Sequence, residues 1–350
     1  MLPNHNVDSQ NDLTQLDRDI YEQYMRQPLG SFCSNIFYLP LEPICVVLIN
    51  LMPHLIADAT HEIANGDAID YGKQLGVGAY AVVKAGSYNG QPVALKIAHV
   101  DVDGYDSLYR ESMMYEWLET AKKKSVNHPG ANCIAQYFGC HDRGLQNGFV
   151  LVMELMHGSL EELIFGDIQN NLAASVLSAK EAKAIFYGIA VGLSFVHQHD
   201  LVYCDMKPAN ILYLRDAHGI HVKLTDFGIA KHKHTASDSG TPVYQAPEIW
   251  TFGLQSAKSD VYGMGITFWE VAARRPIYQS NPTIDDRDEL QEYVTSGSRP
   301  AIVNATPKIS AIIQRCWQQN ANQRPTAEEC SVQIQQLAEQ ECWAQPNTLS

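Results

Sequence analysis

The chain has no Cys-x-x-Cys pair, no Cys/His cluster at zinc-ligand spacing, no internal repeat and no low-complexity tract. Its eight cysteines are scattered over positions 33, 45, 133, 140, 204, 316, 330 and 342, which argues against a zinc site and reads as reduced cytosolic thiols. Long apolar runs are also missing. The nearest, Ile44 to Met52, lies between Pro43 and Pro53, contains Asn50 and is too short to span a bilayer. The opening Met1-Leu2-Pro3-Asn4-His5-Asn6 lacks the charged-then-apolar order of a secretory signal. A cytoplasmic location is therefore expected, with the nucleus left open. Positive charge is scarce: 25 Lys and Arg stand against 39 Asp and Glu, a formal net charge of −14. That balance excludes a broad basic surface for nucleic acid and is compatible with a basic protein substrate.

At 350 residues the chain has room for a two-lobed unit plus a modest extension. Residues 1–66 read as that N-terminal extension. Asp12 to Met25 suits a surface helix, and the aliphatic run after it suits a helix packed on the main domain, a dimer contact or a docking point for a regulatory partner. The opening Leu39-Pro40-Leu41-Glu42 with spaced aliphatics also faintly resembles an F-box, an adaptor-binding motif. From Ile69 the pattern turns to strands: Ile69 to Leu75, Ala81 to Ala85 and Pro92 to Ile97. A helical run follows from Ser107 to Lys124, then strand patterns from Ile134 to Cys140 and Phe149 to Glu154. Helical patterns then dominate: Ser178 to His199, Lys258 to Ala273, Lys308 to Gln318 and Ala327 to Glu339. Strands first and helices second imply an α+β fold, a small β-rich lobe over a larger helical one, spanning residues 67–340 with a short tail at 341–350.

The chemistry concentrates in Asp205-Met206-Lys207-Pro208-Ala209-Asn210-Ile211-Leu212 and in Asp226-Phe227-Gly228. Between them lie two β-rich runs, Ile211 to Leu214 and His221 to Thr225, joined by the turn-like Arg215 to Gly219. A hairpin there would set Asn210 beside Asp226, two oxygen donors suited to one hard cation. Upstream, Gly76-Val77-Gly78-Ala79-Tyr80-Ala81 precedes Val82-Val83, so this glycine loop joins two strands rather than opening a helix. Lys96 sits in the apolar strand Val93-Ala94-Leu95-Lys96, where an ammonium needs a partner. Glu111 and Glu116, on the helix that follows, are the candidates. Glu111 is favoured, and the other would then be a solvated surface charge.

In this order and at this spacing, the glycine loop, Lys96, the Asp205 loop, Asp226-Phe227-Gly228 and Ala246-Pro247-Glu248 resemble the protein kinase family. The resemblance runs from about Ile69 to Leu337. Cys316-Trp317 and Gln323-Arg324-Pro325-Thr326 are similar to the tail of the tyrosine-kinase-like serine/threonine kinases. It implies a protein kinase that uses ATP with Mg2+, or Mn2+ in its place, and a protein substrate. Asp205 would orient and deprotonate the substrate hydroxyl, Lys207 would reach the moving phosphate, and Asn210 and Asp226 would be the metal ligands. Lys96 with Glu111 would hold the nucleotide phosphates under Leu75, Gly76, Gly78 and the tip residue Tyr80. Val83, Ala94 and Leu212 would sandwich the adenine, backbone groups of Glu154 and Met156 would bond its edge, and Met153 would back the pocket while also serving as a core residue. Asp260 would prop the catalytic loop, and Arg324 would pair with Glu248. Lys207 in Asp-x-Lys-Pro and Thr241 in Gly240-Thr241-Pro242-Val243-Tyr244 imply serine or threonine acceptors, with Thr241 bonding both Asp205 and Lys207.

Two departures stand out. Ala81 replaces the third glycine of the loop. Tyr203-Cys204 replaces the family's usual His-Arg, and Tyr203 is expected to pack under Phe227. A thiol at 204 cannot clamp a phosphate as arginine does, so activity is expected not to depend on Thr235, Ser237 or Ser239, the candidate phosphosites. The adjacent Asp205 disfavours a Cys204 thiolate.

Overall fold

A computed structural model describes residue 63 and residues 69–144, 148–166, 176–232, 240–279, 284 and 286–343. The rest of the 1–66 extension, with its F-box-like stretch, and Thr235, Ser237 and Ser239 lie outside the described residues.

The small lobe is a five-stranded antiparallel sheet. β1 (Ile69–Val77), β2 (Ala81–Tyr88) and β3 (Gln91–Ala98) form a meander. Asn89-Gly90 closes the second hairpin with φ of 51° and 77°, the left-handed pair that suits a two-residue turn. Helix α1 (Val102–Lys124) follows, then β4 (Tyr137–Asp142) and β5 (Phe149–Glu154), giving the order β1-β2-β3-β5-β4. Alternation along β3 sends Val93, Leu95 and Ile97 to one apolar cluster and leaves Ala94, Lys96 and Ala98 on the opposite face.

The large lobe begins with β6 (Gly158–Ser159), α2 (Leu160–Phe165) and α3 (Ala179–Gln198). A reciprocal Ser178–Glu181 capping box starts α3. β7 (Leu201–Val202), β8 (Ile211–Asp216), β9 (Gly219–Leu224) and β10 (Lys231–His232) follow. Helices α4 (Pro247–Phe252), α5 (Ala257–Ala273), α6 (Arg287–Thr295), α7 (Pro307–Cys316), α8 (Ala327–Gln336) and α9 (Glu339–Cys342) complete it. Helix α5 is buried from Ser259 to Ala273, so the large lobe is built around it. Among the described residues, no helix is long and apolar enough to cross a membrane.

The two-lobed α+β reading holds, with local corrections. Helix α1 starts five residues before the expected Ser107, because the Asp101 carboxylate accepts the Gly104 N–H at 2.6 Å and caps it. Strand character does not begin at Ile134. That residue makes a single parallel bridge to Leu224, Pro129–Cys133 is a 3₁₀ turn, and β4 begins at Tyr137. The last helical run breaks after Gln336. The hairpin loop is only Ala217-His218, so β8 and β9 are longer than their apolar cores suggested.

Arg324 and Glu248 form the expected ion pair in bidentate geometry, Nη1–Oε1 at 2.6 Å and Nη2–Oε2 at 2.8 Å. The guanidinium is fully buried and also donates to the carbonyls of Lys258 and Gln318. Glu248→Gln should therefore cost about 3–5 kcal/mol in chemical denaturation, because it strands a buried cation. A loss below about 1 kcal/mol would show that the pair is not a structural anchor.

Candidate active site

Three elements meet at Lys96. Its Nζ on β3 lies 2.6 Å from Glu111 Oε2 on α1 and 3.0 Å from Asp226 Oδ1 just after β9. Burial works against the ammonium, yet the two carboxylates outweigh it and hold the Lys96 pKa above the ordinary lysine value. Burial pushes Glu111 upward against the pull of Lys96. Burial also raises Asp226, but Lys96 and then Lys207 prevail and leave it below the usual carboxylate value. Glu111 is thus the partner of Lys96. Glu116 is not the solvated charge expected of it: it is buried beside the Tyr137 phenol, one turn further along α1.

The β8–β9 hairpin brings the two chemical loops together, as the sequence implied. The Thr225 N–H donates to the Asn210 carbonyl at 3.0 Å, which sets Asp226 next to Asn210 along the paired backbone. Asp205 is held on all sides. Its Oδ1 accepts the Thr241 N–H at 3.0 Å and the Thr241 hydroxyl at 2.8 Å. Its Oδ2 accepts from Lys207 Nζ at 2.7 Å and from Asn210 Nδ2 at 2.8 Å. Lys207 Nζ also donates to Thr241 Oγ at 2.7 Å. Because Asp205 takes the amide nitrogen of Asn210, the Asn210 side-chain oxygen is left as an acceptor. With Asp226 it makes an oxygen donor pair that fits a hard divalent cation.

A buried frame supports this loop. Asp260 on α5 accepts the N–H of Tyr203 at 2.7 Å, the N–H of Cys204 at 2.8 Å and His197 Nε2 at 2.9 Å. The Tyr203 hydroxyl lies between the carbonyls of Asn210 and Thr225 and shares its one proton with them, and its ring meets Phe227 edge-on at 5.0 Å. Phe227 meets Tyr115 at 5.3 Å, and Tyr115 stacks on Tyr137 at 5.5 Å.

The glycine loop stands apart from these networks. A Cβ at Gly76 would meet no atom within 4 Å, and one at Gly78 only the Ala81 carbonyl at 3.6 Å. Packing does not demand glycine at either position, and the absence of side chains leaves the backbone of this loop open. Tyr80 is exposed at the tip and Leu75 is exposed on β1, while Ala81 is buried. Val83, Ala94 and Leu212 are half-buried on β2, β3 and β8. Met153 is buried at the end of β5, with Glu154 and Met156 following, and Ser159 pairs with Leu212 to bring the segment after them against β8.

Sequence reasoning missed several supports. His99 pins the glycine loop from beneath, its N–H donating to the Tyr80 carbonyl at 2.9 Å and its Nε2 lying 3.0 Å from the Gly78 carbonyl. Lys223 on β9 grips both oxygens of the Glu154 carboxylate at 2.6 and 2.7 Å. Glu270 on α5 accepts the Tyr244 hydroxyl at 3.0 Å and the Ile277 N–H at 3.0 Å. A charged residue inside an apolar helix was the one visible signal, and it applied only to Glu270.

The model of the protein kinase domain matches residues 69–334. The chain therefore belongs to the protein kinase family. It is 31% identical over 287 residues to an Acanthamoeba polyphaga mimivirus protein provisionally named a serine/threonine-protein kinase/receptor, covering 79% of this chain and 16% of that protein. It is 30% identical to the Caenorhabditis elegans mitogen-activated protein kinase kinase kinase mom-4, over 58% of this chain and 36% of the relative. Identity to human mitogen-activated protein kinase kinase kinase 7 is 28%, over 78% and 43%. The chain thus spans less than half the length of each of these relatives.

Burial raises the Glu270 carboxyl to about 8 from an ordinary 4.5. The folded state then holds a proton that the unfolded state releases between those values, so stability should fall as pH rises from about 4.5 to 8. Glu270→Gln should flatten that part of a denaturant-midpoint-versus-pH curve. An unchanged slope in the variant would show that other groups set it.

Proposed function

We propose that the chain is an active serine/threonine protein kinase that transfers the γ-phosphate of Mg-ATP to a protein hydroxyl. The observation that carries this reading is the closed Asp205–Lys207–Thr241 triangle, with Asn210 on the same carboxylate. Asp205 already accepts four hydrogen bonds, about the capacity of a carboxylate. An incoming hydroxyl needs one of those positions. Lys207 vacates one on Oδ2 when its ammonium turns to the γ-phosphate, so charge neutralisation and acceptance of the hydroxyl are coupled through one side chain. The acceptor oxygen then bonds to the γ-phosphorus, the bridging oxygen leaves with ADP, and the hydroxyl proton passes to Asp205. Thr241 keeps Asp205 aimed throughout. Lys96, fixed by Glu111, holds nucleotide phosphate oxygens against the glycine loop.

Asn210 and Asp226 would hold Mg2+. Bound there, the ion would supply neutralising charge to the nucleotide phosphates. The Tyr203-Cys204 pair is compatible with this chemistry, because the backbone at 204 is what Asp260 holds. Burial, then Asp260, pushes the Cys204 thiol well up, so no thiolate competes at the loop.

Asp205→Asn and Lys96→Met should each lower phosphate transfer to a protein or peptide acceptor by roughly 100-fold or more, with folding retained by circular dichroism. Turnover within tenfold of the unaltered protein in either variant overturns the assignment. An unaltered protein that binds Mg-ATP without turning it over would be a nucleotide-shaped scaffold instead. Replacing Thr235, Ser237 and Ser239 together by alanine should leave activity within about threefold, since position 204 offers no guanidinium to clamp a phosphate. A folded but inactive triple variant would reverse that conclusion.

A further inference from the structure

Strand β4 is the edge of the small-lobe sheet, and an edge strand presents backbone groups with no strand beside them. One residue ahead of the family match occupies that edge. The Ile63 N–H donates to the Cys140 carbonyl at 2.7 Å, and the Ile63 carbonyl lies 3.0 Å from His141 Nδ1. Its side chain is buried, 6% exposed, against Ile69, Val93, Leu95, Val150 and Val152. These are the sheet residues that point away from Lys96. The residue therefore meets β4 through one backbone bond to Cys140, through the His141 imidazole on its carbonyl and through its apolar side chain at once. It belongs to the compact unit Ala59–Ser350, not to the unit before it.

The strand it pairs with is also tied to α1. Next to His141, Asp142 accepts the Tyr105 hydroxyl at 2.7 Å, and Tyr105 packs edge-on to Phe149 of β5 at 5.5 Å. Helix α1 carries Glu111, the partner of Lys96.

We propose that Ile63 is an edge-pairing plug of the small lobe, and that its seating on β4 helps hold α1 where Glu111 meets Lys96. The occupant of this edge, beside Cys140 and His141, is Ile63 of the same chain. Ile63 is then a positioning residue of the catalytic unit, and any partner that draws it off β4 loosens the Lys96–Glu111 pair.

The test uses the full chain. Hydrogen exchange is followed in Ile63→Asp, in Ile63→Pro, which removes the donor to Cys140, and in the milder His141→Ala. The expected result is roughly tenfold or faster exchange across Cys140–Asp142 and α1 in both Ile63 variants. His141→Ala should show a smaller change in the same amides, α8 should be unchanged, and Ile63→Val should match the unaltered protein. Steady-state kinetics should show the ATP KM rising roughly tenfold in Ile63→Asp. Exchange at β4 and α1 unchanged in Ile63→Asp and Ile63→Pro overturns the proposal. Faster exchange at β4 with α1 and KM unchanged overturns the coupling to α1. If the Ile63 variants do not fold, His141→Ala decides, and unaltered exchange there counts against the plug. The exchange readout needs no catalysis, so it stands whether or not the chain is an active kinase.

Discussion

The ammonium of Lys96 is the point at which the structure either closes or fails to. A cation placed on an apolar strand cannot remain there unless carboxylates reach it. Two do, from elements far apart in sequence: Glu111 at 2.6 Å and Asp226 at 3.0 Å. Satisfying Lys96 thus fixes the rotation of α1 against the sheet and the position of the segment after β9. The consequence spreads by helical periodicity. Tyr115 lies one turn beyond Glu111 on the same face of α1, so a helix turned to offer Glu111 also offers Tyr115 to Phe227. Phe227 meets Tyr203, and the backbone of Tyr203 hangs from Asp260. One electrostatic requirement in the small lobe is in this way carried by packed rings to the central helix of the large lobe.

Asp260 answers the opposite problem, a buried anion. It is 3% exposed and is satisfied by two backbone N–H groups and one imidazole. The two backbone donors belong to Tyr203 and Cys204, just ahead of Asp205, and the imidazole to His197 on α3. The loop is therefore positioned through its main chain, and Asp205 is left to its four side-chain and backbone donors. Such an arrangement is built before any substrate arrives and needs little reorganisation at the moment of reaction.

Much of this was legible because the chemistry sits in short motifs on strongly patterned elements. Phe149–Glu154 was bounded correctly because its β-branched alternation ends at a turn, and the expected Ser178–His199 run coincides with α3 and its two cap residues, Ser178 closing the start in a capping box with Glu181. Lys96 was legible as a charge in an apolar strand. Glu111 and Glu116 were harder: five positions apart on a helix, both could face inward. Both do, one to Lys96 and the other to the Tyr137 neighbourhood, and only the tertiary arrangement assigns them. Helices α2 and α6 escaped because six and nine residues carry too little periodicity to register. His99 and Lys223 escaped because their partners are loop carbonyls and a distant carboxylate, which no local spacing encodes.

Cys204 shows how the family pattern can change at this loop without disturbing it. The residue has φ of 72°, a left-handed backbone that is uncommon outside glycine. Asp260 compensates for that conformation by holding its N–H at 2.8 Å. On the other side, a Cβ at Gly240 would come within 2.7 Å of the Cys204 carbonyl, and Gly240 itself has φ of 107°. The backbone of position 204 is thus gripped between α5 and the segment leading to Thr241, and the demand for glycine falls on 240. The side chain is half-buried, and its thiol donates to the Val202 carbonyl at 3.4 Å. Geometry at this position is therefore set by the main chain and charge by the side chain. Cysteine at 204 leaves the main-chain frame of the catalytic loop in place and brings no cation of its own to this position.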